Sequence, residues 1–271
     1  MRLHDYLRRI GVDDSLPATA EALRRLHIAH REAFLFENIS IQAGGAVSVE
    51  LDAIERKFID ERRGGYCFEH NTLFAAVLRD LGFAPVALLG RVRRGPPERW
   101  ARTHMVLRVP VDGDDWLADV GFGGLGLLEP IQLRDGTVSE QAGLTYRLRR
   151  ESGLWVLSML DPAHTPWYQH DKDTSTSDLY EFSEEPQTAG DVQVANHFTS
   201  THPDSIFRRT LTIQRSARDG RVILRGDTLT RYKDGQAIEE PVAREQVRDV
   251  ARELFGVELP ERLLSDADQK T

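Results

Sequence analysis

Apolar positions recur every three to four residues through the first third of the chain. Leu3, Tyr6, Leu7 and Ile10 form one stripe, which stops at Gly11. Leu23, Leu26, His27 and His30 form a second, after the start signal Pro17-Ala18-Thr19. Leu51, Ile54 and Phe58 give a third, and Cys67, Phe74, Val77, Leu78 and Leu81 a fourth that ends at Gly82. Short helices with one apolar face must pack on each other, so the first 83 residues are predicted to form a helical bundle.

From Pro85 the period shortens to that of strands. Residues 86–92, 104–109, 116–120, 145–148 and 154–160 are predicted strands, separated by turn signals such as Asp112-Gly113-Asp114 and Arg134-Asp135-Gly136. Successive strands with short turns imply an antiparallel sheet or barrel. Residues 171–190 are polar and read as a long connection. Strand patterns return at 210–214, 221–224 and 228–232, and Val247, Val250, Ala251 and Leu254 mark a last amphipathic helix ended by Gly256. The fold class expected is α+β.

Composition narrows the function. The chain has 271 residues, is 40% hydrophobic and 29% charged, and carries a net charge of −8. An acidic chain is a poor match for nucleic acid, so no such partner is expected. Residues 1–7 lack the apolar core of a signal peptide, and no apolar stretch nears the roughly 20 residues that cross a bilayer. A single cysteine cannot close an internal disulfide. These features predict a cytoplasmic chain without a membrane partner. Oligomeric state is not encoded in any pattern here.

That one cysteine, Cys67, follows Arg62-Arg63-Gly64-Gly65-Tyr66 and opens the fourth helix. A lone cysteine is often a small inert hydrophobe. At a helix N-terminus, however, the dipole favours thiolate over thiol, which suits a nucleophile. A nucleophile needs a base, and the base an orienting partner. His104 opens a strand beside the loop 94–101, and Asp119 ends the apolar run Trp116-Leu117-Ala118. A carboxylate there is costly to bury unless paired, and the Nδ1–H of His104 is the expected partner across a hairpin. Cys67, His104 and Asp119 therefore make a coherent catalytic set. His27 and His30 sit on an apolar helix face and read as core residues, and His70 lies one turn along from the thiol. No set of residues has zinc-motif spacing, so no metal is expected. Asn38-Ile39-Ser40 matches a glycosylation sequon by chance.

Five separated segments together resemble the arylamine N-acetyltransferase family: Phe36-Glu37-Asn38-Ile39, Arg63-Gly64-Gly65-Tyr66-Cys67, Thr103-His104-Met105, Asp119-Val120-Gly121-Phe122-Gly123, and residues 196–203. The resemblance spans residues 1 to about 207. It implies a helical bundle over residues 1–83 carrying the nucleophile, a central antiparallel β-barrel over 84–190 carrying His and Asp, and an α/β lid over 191–271. The arrangement is similar to that of cysteine proteases and transglutaminases. It also implies a Cys–His–Asp triad at Cys67, His104 and Asp119, with acetyl-CoA as acyl donor. The acceptors implied are arylamines, arylhydroxylamines and arylhydrazines, as in xenobiotic metabolism. Phe36, Phe122 and Phe198 would line the acceptor and pantetheine pocket, and Phe122, Gly123, Gly124 and Phe198 would approach the cofactor.

Two departures from the family pattern stand out: Leu35 where Pro is frequent, and His197 where Trp is common. The basic loop 93–102, with Arg93, Arg94, Arg99 and Arg102, is a candidate for CoA phosphates or a solvated charge run. Glu37 and Arg63 occupy two motif segments near the thiol, and an ion pair between them is expected. The transfer implied is ping-pong, through an acetyl-cysteine. The rivals are an amide synthase that closes a macrolactam from a carrier-bound acyl chain, a thiol hydrolase or transglutaminase, and a CoA-binding protein with an inert Cys67.

Overall fold

Thr19 shows how closely local chemistry follows the sequence. Its hydroxyl accepts the Ala22 N–H at 3.2 Å and so caps the first long helix. The computed structural model describes residues 1–13, 16–160, 169–171 and 176–263. In the N-terminal part, chain order runs α1 (Leu3–Ile10), α2 (Ala20–Ala33), β1 (Phe36–Glu37), α3 (Ile39–Gln42), α4 (Leu51–Glu55) and α5 (Cys67–Asp80). After α4 the chain continues as one π-helical turn, Arg56–Asp60, which keeps Phe58 in the core.

The middle of the chain supplies β2 (Val86–Val92), β3 (Arg102–Val111), β4 (Asp114–Ala118), β5 (Ile131–Gln132), β6 (Val138–Gln141), β7 (Leu144–Glu151), β8 (Leu154–Leu160), β9 (Gln169–Asp171) and β10 (Thr176–Phe182). Their order is β5-β4-β3-β2-β10-β8-β7-β6, with β9 paired to β10, and all pairings are antiparallel. The sheet curls into a nearly closed barrel. β3 has both faces covered. Met105, Leu107 and Val109 pack on the helices, and Val106 points into the barrel with Leu88 and Leu117. That double burial explains its continuous apolar sequence.

The C-terminal part contains α6 (Ala189–Thr201), α7 (Ile206–Arg209), β11 (Thr212–Ala217), β12 (Gly220–Arg225), β13 (Thr228–Lys233), β14 (Gln236–Pro241) and α8 (Val247–Phe255). Its sheet has the order β1-β11-β12-β13-β14. The architecture is α+β. Among the described residues, no helix is long and apolar enough to cross a membrane.

Two expectations need correction. Residues 176–182 are not connection but strand β10, at the centre of the barrel sheet. Its polar look comes from Asp178 and Glu181, which serve a buried cation. Arg93 donates to Asp178 at 2.6 Å, to Glu181 at 2.9 Å and to Glu151 at 2.6 Å. Residues 172–175 of that predicted connection lie outside the described residues, as do 264–271 of the C-terminal part. The first 83 residues are also not wholly helical, because β1 pairs with β11 as the edge of the C-terminal sheet.

Candidate active site

Cys67 stands at the first position of α5, and Gly64 and Gly65 before it are needed for close approach rather than for a positive φ. A Cβ on Gly64 would collide with the carbonyl of Leu35. The bare backbone lets β1 lie alongside, with Gly65 N–H donating to Leu35 O at 3.3 Å and Glu37 N–H to Gly65 O at 2.7 Å. Glu69 then reaches back to accept the Tyr66 N–H at 3.1 Å, a capping contact at the third helical position. Lys57 donates to the other Glu69 oxygen at 2.8 Å.

The same strand is tied to this turn by charge. Arg63 donates to Glu37 Oε1 through Nε at 3.0 Å and Nη2 at 2.7 Å. Glu37 is buried, and its Oε2 accepts the Ile39 N–H at 2.7 Å. A buried carboxylate so fully bonded fixes the position of β1 against the nucleophile's turn.

His104 is delivered by an irregularity in β3. Gly90 pairs with His104 but Arg91 pairs with Arg102, so Thr103 is the extra residue of a β-bulge. Bulges re-aim the side chains beside them. Here the Thr103 carbonyl turns to the thiol, whose S–H donates to it at 3.7 Å. β3 and β4 form the expected hairpin, turning at Asp112 and Gly113, both with positive φ. Asp119 follows directly after β4.

His104 Nε2 lies 2.8 Å from Asp119 Oδ2. The expected Nδ1 contact is therefore corrected: the ring beside the bulge meets the carboxylate through Nε2. Asp119 Oδ1 accepts from Gly121 N–H at 3.0 Å and from the Asn71 amide at 3.2 Å. Burial pushes the Asp119 carboxyl up. The charge and hydrogen bond of His104, with those two N–H donors, outweigh burial and hold it at about 2. The ring of Tyr180 packs on the imidazole at 4.8 Å and that of Phe122 at 5.1 Å.

The thiol itself departs from the expectation. Burial pushes Cys67 up, and this exceeds the downward pull of the Met105 and Phe68 N–H groups. The helix start alone does not make a thiolate in so dry a place. A positively charged partner must accompany it.

Cys67, His104, Phe36, Phe122 and Phe198 all line one cavity of about 530 Å³. Phe198 is 42% exposed at its rim and stacks on His202 at 4.4 Å. Gly124 lies in an adjoining cavity of about 910 Å³, which shares Arg94, Phe122, Arg209, Gln214 and Arg225 with the first. The Gly124 N–H donates to Gln214. Gly123 has φ +92°, and a Cβ there would stand 2.5 Å from Gln214 Oε1. Of the basic loop, Arg94 and Arg99 line the thiol's cavity. Arg93 is buried among carboxylates, and Arg102 pairs with Glu185 at 3.1 Å, so neither faces it. His197 lies exposed on α6 and off both cavities. Asn38 is buried, with its amide donating to Phe207 O and Thr210 O at 2.8 Å each.

His27, His30 and His70 are buried and structural. Tyr6 O–H donates to His30 Nδ1 at 2.7 Å, His30 Nε2–H to His70 Nδ1 at 2.8 Å, and His70 Nε2–H to Leu35 O at 3.0 Å. This direction follows because Leu35 offers only an acceptor. Two further residues contact Asp119 itself: Asn71, which sequence reading passed over, and His27, which it read as a core residue and which is buried. His27 Nε2 accepts the Asp119 N–H at 3.1 Å, and its Nδ1–H donates to Leu128 O at 2.8 Å. Among the described residues, no group of three or more His, Cys, Asp or Glu is placed to hold a metal.

A family model described as N-acetyltransferase matches residues 19–264. The arylamine N-acetyltransferase / N-hydroxyarylamine O-acetyltransferase of Salmonella typhimurium is 36% identical over 240 residues, covering 88% of this chain and 82% of that protein. The crystal structure of Nocardia farcinica arylamine N-acetyltransferase is 36% identical, with a TM-score of 0.86 over 97% of this chain and 92% of its own. That of the Mycobacterium marinum arylamine N-acetyltransferase in complex with CoA is 34% identical, with a TM-score of 0.84 over 97% and 95%.

Proposed function

As the chain belongs to the arylamine N-acetyltransferase family, we propose that it carries an acetyl group from acetyl-CoA to aromatic amines through Cys67. The family makes it an acyltransferase. The observation that carries the mechanism is the buried His104–Asp119 pair on the wall of the cavity that holds the thiol. Arylhydroxylamines and arylhydrazines belong to the same acceptor class.

The Cys67 proton passes to His104 Nδ1, and Asp119 holds the resulting imidazolium at Nε2. This supplies the positive partner that the desolvated thiolate needs. The sulfur attacks the carbonyl carbon of the acetyl thioester, and the carbon–sulfur bond to CoA breaks. The departing CoA sulfur takes the proton from His104. An arylamine nitrogen then attacks the acetyl-Cys67 carbon, and the bond to Cys67 breaks. The amine's proton goes to His104 and on to the Cys67 sulfur, restoring the start. In both halves, N–H groups in the first turn of α5 face the oxyanion.

The walls suit these partners. Phe36, Phe122 and Phe198 offer apolar surface to an aromatic acceptor and keep water from the thioester. Arg94, Arg99, Arg209 and Arg225 line the same space and suit an anionic co-substrate. The relative solved with CoA supports acetyl-CoA as the co-substrate. Initial-rate kinetics test the order of events. Parallel double-reciprocal lines for acetyl-CoA and arylamine are expected, and intersecting lines would contradict a covalent intermediate.

A further inference from the structure

Resting on this reading of Cys67, His104 and Asp119, we propose that Asn71 is the positioning residue that sets all three in register. Asn71 lies one helical turn after Cys67 on α5 and has no exposed surface. Its amide nitrogen donates to Met105 O at 2.7 Å and to Asp119 Oδ1 at 3.2 Å. Its oxygen accepts the Val120 N–H at 3.3 Å. Met105 directly follows His104, and Val120 directly follows Asp119. One planar group on the nucleophile's own helix thus bonds the segments that carry the other two members.

The chemistry of the site requires an amide. Two donors and one acceptor are used within a single plane, which a hydroxyl, a carboxylate or an alkyl group does not supply. By occupying Oδ1, together with the Gly121 N–H, Asn71 leaves Oδ2 facing His104. Gly121 is matched to it, since a Cβ there would stand 2.5 Å from Asn71 Nδ2 and 2.8 Å from Cys67 Cα. The other titratable groups that face Asp119 are His104 from β3, His27 from α2 and Tyr180 from β10, whose ring also lies against His104. Arg31 from α2 adds a positive charge at longer range. None of them touches all three segments in the way Asn71 does.

The test uses the full chain with Asn71→Leu, which keeps size and removes every bond, and Asn71→Asp, which keeps shape and removes both donors. The readout is the rate of Cys67 alkylation by iodoacetamide against pH, normalised to folded protein. The rate near neutral pH should fall about tenfold or more, the scale on which partners of a functional histidine act, and the profile should move along the pH axis. Profiles that superimpose on wild type, with only a lower melting temperature, would overturn the proposal and leave Asn71 a packing residue. A second measurement needs no variant. In ¹⁵N-labelled wild type, the Asn71 side-chain amide should shift with the same pH midpoint as the rate of Cys67 alkylation, and an amide that ignores that midpoint overturns the proposal. Alkylation and NMR need no acetyl-CoA. Wild type that fails to transfer acetyl while Asn71 still sets thiol reactivity would count against the transfer reading and not against this one.

Discussion

His104 and Asp119 meet at 2.8 Å through Nε2 and Oδ2, both buried, with the remaining carboxylate oxygen already bonded from two other directions. The carboxylate is thus fixed before any substrate arrives. Replacing its charge and keeping its shape is therefore informative. Asp119→Asn should lower kcat on the order of ten-thousandfold, as loss of the orienting carboxylate does in other triads. Folding should survive, because Asn keeps the oxygen that receives the Gly121 N–H. Steady-state rates alongside circular dichroism check both halves.

The ion pair between Glu37 and Arg63 should matter for stability as well as activity. Arg63→Gln leaves a buried carboxylate with weaker partners, at a cost of roughly 2 kcal/mol, less than for a fully buried pair because the Arg63 side chain is 24% exposed. Arg62→Gln, one residue earlier and exposed, serves as control. Urea unfolding should separate the two variants, and the double change Glu37→Gln with Arg63→Gln should recover part of the loss.

Gly121→Ala tests the closeness of the elements around the thiol. The added Cβ would sit 2.8 Å from the Cys67 Cα and O atoms and must push α5 from the Asp119 turn. Transfer should fall below a hundredth of wild type, with more rapid proteolysis of the loop after Asp119. Activity within a few-fold of wild type would show that the contact can relax.

Acid sensitivity follows from the buried histidines. Burial lowers His27 to about 4 and His70 to about 3, and places His30 well below its ordinary value. Each binds a proton more readily in the unfolded chain, so each contributes stability above the unfolded pKa near 6.5 and loses it as pH falls toward the folded value. By pH 5 each withdraws on the order of 2 kcal/mol. Asp119, held at about 2, keeps its own contribution until pH falls below 4. The urea midpoint should therefore drop steeply between pH 6.5 and 5, and a flat curve there would contradict neutral burial of these rings.

The sequence was most legible where one periodicity ruled. α2, α5 and the β3–β4 hairpin carry clean apolar spacing with a cap or a two-residue turn at their ends. The polar exterior of β10 hid a central strand, since Asp178 and Glu181 are solvated by Arg93 rather than by water. A single-residue bulge at Thr103, next to His104, leaves no trace in composition, and which nitrogen of His104 meets Asp119 is not written in the sequence. Cys67, His104 and Asp119 were identifiable as residue types that need one another. Asn71 was not, because a polar residue on a helix reads as solvent-facing until the strand that covers it is known. The helix start at Cys67 suggested a ready thiolate, but desolvation outweighs it.

Intact-mass spectrometry after mixing the full chain with acetyl-CoA tests the central claim most directly. One acetyl group should appear on Cys67, vanish when an arylamine is added and be absent in Cys67→Ala. No adduct, or one that an arylamine leaves in place, would contradict transfer through this thiol.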